Sequence, residues 1–135
     1  MASSFSTATF NFTKPSASAR NIANKRCDGA FEIGQSAAIL EYLEEKYPEH
    51  ALLPDDIKAR AWVRYLSQII ISDTHPLNNS GVIKFLTNPL GFDKSQIKFW
   101  YHHWLKLCLD TFESILLKHP DCNNFCWGDN PTFAD

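Results

Sequence analysis

Asp93 and Gln96 stand three residues apart at the head of the longest apolar row in the chain. Ile97, Trp100, Tyr101, Trp104, Cys108, Phe112, Ile115 and Leu116 then recur every three or four residues down to Lys118. The first pair is a capping box and the row is one face of a helix, so the sequence predicts a long amphipathic helix here. Three further segments obey the same period. Ala37, Ile39, Leu40, Tyr42, Leu43 and Tyr47 follow Ser36, a good N-cap, and stop at Pro48. Trp62, Tyr65, Leu66, Ile69 and Ile70 follow Pro54-Asp55-Asp56, whose acids suit the positive end of a helix, and Pro76 ends or kinks that segment. A shorter helix is predicted from Asn79 to Leu86, before the breaker Asn88-Pro89-Leu90-Gly91. The fold class is therefore all-α, with one strand signal: Asp28-Gly29 reads as a turn, and Phe31-Glu32-Ile33 alternates like a short strand.

Thr132-Phe133-Ala134-Asp135, after the tight turn Gly128-Asp129-Asn130-Pro131, repeats the capping pattern and announces one more helix. The 135 residues leave no room for it. The sequence thus reads as an incomplete domain, with apolar faces at Trp62, Ile69, Trp104 and Phe112 expected to lie uncovered. Composition narrows the partners. A 44% hydrophobic, 21% charged chain of formal net charge −2 lacks the basic excess of a polyanion binder, so no nucleic-acid partner is expected. No apolar run approaches the ~20 residues that cross a bilayer, and no membrane partner is expected. Cys27, Cys108, Cys122 and Cys126 show no CxxC spacing and read as free thiols in a reducing compartment. No metal site is expected, because His102 and His103 point about 100° apart on a helix.

Residues 1–27 differ from the rest. Ser, Ala, Thr and Asn dominate, and no Asp or Glu precedes Asp28. This composition fits a transit peptide, a disordered tail or an unrelated segment joined upstream. The expected location is cytoplasmic, or mitochondrial should residues 1–27 act as a transit peptide.

Six motifs in order carry a resemblance. Gly34-Gln35-Ser36, the run Ile39-Leu40-Glu41-Tyr42-Leu43-Glu44-Glu45-Lys46-Tyr47-Pro48 and Leu52-Leu53-Pro54 together resemble a glutathione transferase where its thioredoxin-like domain meets its helical domain. Ser72-Asp73-Thr74-His75-Pro76-Leu77-Asn78-Asn79, Trp100-Tyr101-His102-His103-Trp104 and Phe125-Cys126-Trp127-Gly128-Asp129 resemble the zeta class, the maleylacetoacetate and maleylpyruvate isomerases. The resemblance implies that residues 28–48 are the last strand and helix of a thioredoxin-like, glutathione-binding domain. Residues 49–135 would be an incomplete C-terminal-like helical bundle. It also implies glutathione as cofactor, a small dicarboxylate substrate, cis–trans isomerisation or conjugation as the activity, and a homodimer. Gln35 and Ser36 would meet the γ-glutamyl carboxylate of glutathione. Asp73 and His75 would lie near the glutathione of the partner subunit, where an Asp can pair with its ammonium group. Asn78 and Asn79 are expected to hold that loop through backbone hydrogen bonds.

Three departures from the family pattern matter. The family's thiol-activating Ser and Cys residues lie in the first strand-helix turn of the thioredoxin-like domain, and Ser3-Ser4-Phe5-Ser6 is only a chance likeness, with Phe5 at the cysteine position. No X-Pro bond lies just before the Phe31 strand, where the family has a cis-proline. Gly81 stands where bacterial relatives carry an arginine suited to a substrate carboxylate. No catalytic residue is assigned in this chain, and as supplied it is expected to be inactive. The competing reading is a non-catalytic domain of this fold that serves as a protein-interaction module.

Overall fold

The computed structural model describes residues 26–135, which fall into two compact units meeting between Ile39 and Leu40. In the first unit, Gly29 takes φ +61, a left-handed turn that glycine adopts without a Cβ penalty. It closes a hairpin in which β1 (Arg26–Asp28) pairs antiparallel with β2 (Phe31–Ile33), Cys27 opposite Glu32. The predicted strand is therefore present, and it has a partner that the sequence did not reveal. The expectations for residues 1–27 lie outside the described residues except at Arg26 and Cys27, which are strand. Helix α1 (Ser36–Lys46) follows.

In the second unit the last two turns of α1 lead through a 3₁₀ turn, Pro48–His50, to α2 (Ile57–Gln68). Asp56 is the cap of α2, its carboxylate accepting the N–H groups of Lys58 and Ala59 at 2.9 Å each. The helix buries Ala59, Val63, Leu66 and Ser67, while Tyr65, expected inside, is 49% exposed. Its apolar face is rotated toward Val63.

The α-helical pattern stops at Gln68, before Pro76 is reached. The backbone widens into a π-helical stretch, Ile69–Thr74, in which the His75 N–H reaches back to the Ile70 carbonyl, and then tightens into α3 (His75–Asn78). A proline ring clashes with the carbonyl four residues back and donates nothing to it, so an expanded turn relieves the crowding. The Ile69 carbonyl is compensated by side chains: it accepts Thr74 Oγ1 at 3.3 Å and the Cys108 thiol at 3.8 Å.

Asn79 then caps α4 (Ser80–Thr87), accepting Gly81 N at 2.8 Å and Val82 N at 3.0 Å. The capping box of α5 (Lys94–Leu116) is formed as read: Asp93 accepts Ser95 N and Gln96 N, and Gln96 Oε1 accepts Asp93 N at 2.9 Å. The core cluster joins α2, the π stretch and α5 through buried Leu66, Ile69 and Cys108. Cys126 and Ala134 also pack on this cluster, so Ile69 is buried at 6% exposure rather than uncovered, and Trp62, Trp104 and Phe112 are half-buried. Of the four residues expected to be bare, Ile69 is thus buried.

Candidate functional site

Gln35 has φ +69, the only non-glycine residue of positive φ among the described residues. Its carbonyl accepts Ile39 N at 3.0 Å, so by backbone role Gln35 is the N-cap of α1. Ser36, expected at the cap, is instead the first helical residue. The left-handed kink turns the chain just before the free amides of the first helical turn, and both Gln35 and Ser36 are exposed beside them. A non-glycine residue held there is disfavoured by about 1 kcal/mol or more, a strain that gathers at ligand clamps. Exposed amides at a positive helix end suit a carboxylate.

Asp73 lies inside the π-helical stretch and His75 opens α3, so neither is in the loop that the sequence suggested. Both are exposed, and among the described residues neither has a hydrogen-bonded side chain or ion-pair partner. Asn79 does anchor this region, its amide donating to the Pro76 carbonyl at 2.8 Å while its oxygen caps α4. Asn78 does not. Its Oδ1 and Nδ2 are buried with no hydrogen-bond partner among the described residues. Gly81 sits in the first turn of α4, where an added Cβ would meet Asn79 Oδ1 at 3.0 Å. His102 and His103 are both exposed, and His103 packs against Phe99 and Trp104. No cluster of three metal-ligating side chains occurs among the described residues.

Gln35 and Ser36 belong to the first unit, and Asp73 and His75 to the second. The second unit is braced by two carboxylates that sequence reading passed over. Glu44, its side chain 6% exposed, accepts Leu52 N at 2.8 Å and Leu53 N at 3.1 Å, with Arg60 at 3.8 Å. The signal was legible, since Glu44 falls four residues after Leu40 and three before Tyr47, on the apolar face. Glu41 is gripped in two-pronged fashion by Arg64 at 2.6 and 2.8 Å, which holds its carboxyl below the usual range.

A third carboxylate closes the chain's last turn. Asp135 accepts Cys126 N, Thr132 N and Thr132 Oγ1, each at 2.8 Å, and Thr132 Oγ1 in turn accepts Ala134 N at 3.2 Å. This is the reciprocal pattern read from Thr132 and Asp135. Burial raises the Asp135 carboxyl, but these hydrogen bonds outweigh it and the net shift is downward. Burial, followed by the neighbouring Asp135, pushes the Cys126 thiol up to about 12.

No family model matches this chain. A maleylpyruvate isomerase of Ralstonia is 40% identical over 107 residues, which span 79% of this chain and 50% of the relative. The solved holo structure of a maleyl pyruvate isomerase, described as a bacterial glutathione transferase of the zeta class, superposes with a TM-score of 0.79 at 38% identity. By sequence and by fold, the matched part of this chain resembles the zeta-class glutathione transferases. That structural match covers 82% of this chain and 52% of the solved one. A maleylacetoacetate isomerase of Methylobacterium extorquens, solved with bound malonate and glutathione, gives a TM-score of 0.74 at 33% identity over 82% of this chain and 52% of that one. The chain therefore spans about half the length of the relatives it matches. Its architecture is the glutathione transferase helical bundle preceded by a strand and helix of the thioredoxin-like domain.

Proposed function

We propose that this chain supplies part of the glutathione site of a zeta-class transferase that isomerises or conjugates a small unsaturated dicarboxylate. The observation that carries the reading is the left-handed Gln35 set before the exposed first turn of α1. The residues present fit a glutathione carboxylate. Ser36 and the first-turn amides would hold the γ-glutamyl carboxylate, with Gln35 orienting them. Asp73 would pair with the ammonium group of that same moiety, and His75 would stand beside it, in the homodimer across the subunit boundary. Glutathione, when bound, supplies a thiolate that adds reversibly to a cis double bond, and the single bond so formed can rotate before the thiolate leaves.

The solved Methylobacterium relative with bound malonate and glutathione supports a dicarboxylate as the substrate class. Gly81 brings no cation to such a substrate. By itself the 135-residue chain is expected to turn over no substrate, because no Ser-Cys-Ser turn occurs in its sequence. The location that fits this activity is the cytoplasm.

The test is a chimera in which residues 28–135 replace the matching segment of the Ralstonia isomerase. Glutathione-dependent isomerisation of maleylpyruvate should survive, and Ser36→Ala or Asp73→Asn should raise the KM for glutathione roughly tenfold or more, as loss of a hydrogen bond to a charged group would. A folded, active chimera whose glutathione KM is unmoved by both substitutions sinks the reading.

A further inference from the structure

The wide turn Ile69–Thr74 carries Asp73 near its end and leads directly into His75. Asp73 is exposed, and among the described residues its side chain makes no hydrogen bond, so its direction is set by the turn that bears it. Thr74, beside it, is buried, and its hydroxyl donates to the Ile69 carbonyl at 3.3 Å, five residues back. Elsewhere in the same unit Ser67, Thr87 and Thr111 donate to carbonyls four residues back, at 2.9, 2.8 and 2.8 Å, as helical hydroxyls do. The extra residue is the mark of the expanded turn. The Ile70 carbonyl, four residues before Thr74, is taken by the His75 N–H.

The Ile69 carbonyl is also where α5 takes hold. Cys108, buried on that helix, donates its thiol to it at 3.8 Å from 39 residues further along the chain. Ile69 and Cys108 share one core cluster with Leu66, so this carbonyl is held by the core as well as by its own turn. Thr74 thereby ties the exposed end of the turn to a buried point. On the outer side Ser72 donates to the Gln68 side chain, but both are exposed and water competes for that tie.

We propose that Thr74 is a positioning residue for glutathione: its buried hydroxyl, anchored on a carbonyl that Cys108 also holds, keeps the wide turn in the form that aims the Asp73 carboxylate at the ammonium group. Asp73 is taken here as the glutathione contact already proposed, and the positioning role rests on that reading. Without the hydroxyl the backbone keeps its helical bonds, but Asp73 samples a wider range of directions, which binding must then restrict.

Two substitutions separate the donor from the packing. Thr74→Val keeps the methyl group and loses the hydroxyl, and Thr74→Ser does the reverse. In the full chain, hydrogen exchange of the His75 amide, which closes the turn on Ile70, should quicken roughly 5- to 20-fold in Thr74→Val and stay within about twofold of wild type in Thr74→Ser. In the chimera with the Ralstonia isomerase, Thr74→Val should raise the KM for glutathione about 3- to 10-fold with kcat within about twofold, and Thr74→Ser should restore it. Added to Asp73→Asn, Thr74→Val should raise the KM by less than about twofold, because the group it aims is already gone. A KM raised by Ser and not by Val, a fall in kcat alone, an equal rise with and without Asp73, or unchanged His75 exchange in folded Thr74→Val would each overturn the proposal. Should Thr74→Val fail to fold, Thr74→Ser decides by itself, a KM raised about threefold or more refuting the role of the hydroxyl. Failure of the glutathione reading looks different: Asp73→Asn alone then leaves the KM unmoved, and the positioning role falls with it.

Discussion

Replacing Glu44 by alanine should be among the most damaging single changes in the second unit. The substitution removes the acceptor of two backbone donors, Leu52 N and Leu53 N, in a connection that has no ladder to fall back on. The two are not equal. Leu53 is 4% exposed, so its N–H would be left unsatisfied, at a cost of about 1–3 kcal/mol. Leu52 is 37% exposed and its N–H can turn to water, which adds about 0.5–1 kcal/mol for the lost bond. Arg60, at 3.8 Å and with a third of its side chain exposed, contributes little. The expected total is ~1.5–4 kcal/mol, a large part of the ~5–15 kcal/mol that stabilises a typical domain. Glu44→Gln keeps one acceptor oxygen and should lose about half as much. Urea unfolding of the three proteins, followed by helical circular dichroism, gives the differences from the shift in midpoint at constant slope. A loss below ~0.5 kcal/mol for Glu44→Ala would show that the connection at Leu52 and Leu53 is held by something other than this carboxylate.

Asp135→Asn should erase a pH dependence. The folded-state pKa of Asp135 is lowered from its ordinary 3.8, so its stabilising contribution is present above that value and is lost as pH falls below it. The gap in stability between wild type and Asp135→Asn, measured at pH 7 and pH 3, should therefore shrink with acid. A constant gap refutes it. Cys126, with its thiol pushed up to about 12, should resist iodoacetamide at pH 7.5 in the folded chain and react on unfolding; peptide mass mapping that finds rapid native-state alkylation there would contradict the burial. Asn78→Leu replaces a buried, unpartnered amide by an apolar group of similar size, and should be neutral or stabilising by about 1 kcal/mol in thermal unfolding. A clear loss would mean that the amide has a partner in solution.

The helical plan was legible because it depends on local chemistry. The Asp93–Gln96 box, the Asn79 start and the Thr132–Asp135 pairing all bind groups within three residues of one another, and the structure forms each of them. What the sequence hid was non-local or conformational. Arg26–Asp28 is strand only because Phe31–Ile33 lies opposite, and a run of Arg, Cys and Asp carries no strand signal of its own. Glutamine is a poor cap by propensity, so nothing in the sequence marked Gln35 as the left-handed residue rather than Ser36 as the cap. Glu44 stands on the apolar face of α1, but the two amides that it holds, Leu52 and Leu53, lie eight and nine residues further on and carry no local signal. Tyr65 and Val63 both fit a helical period, and packing decided between them. At the candidate site the backbone that presents Gln35 and Ser36 was not readable from the sequence.

The expanded turn at Ile69–Thr74 has a consequence for the lengths this region can take. A π turn holds one residue more than the α turn it replaces, so the chain between the core helix α2 and His75 contains a removable residue. Deleting Ile71 or Ser72, one half-buried and the other exposed, would let the backbone close into α geometry without breaking α2. Because the wide turn takes up the extra residue within a single turn, everything after it would keep its facing about the helix axis. His75 would point as it does now, and Thr74 would stand four residues from Ile69 instead of five, still within reach of its carbonyl. The direction in which His75 points is thus insulated from the residue count of this turn, and a natural variant one residue shorter there would present the same side chain to the same neighbour.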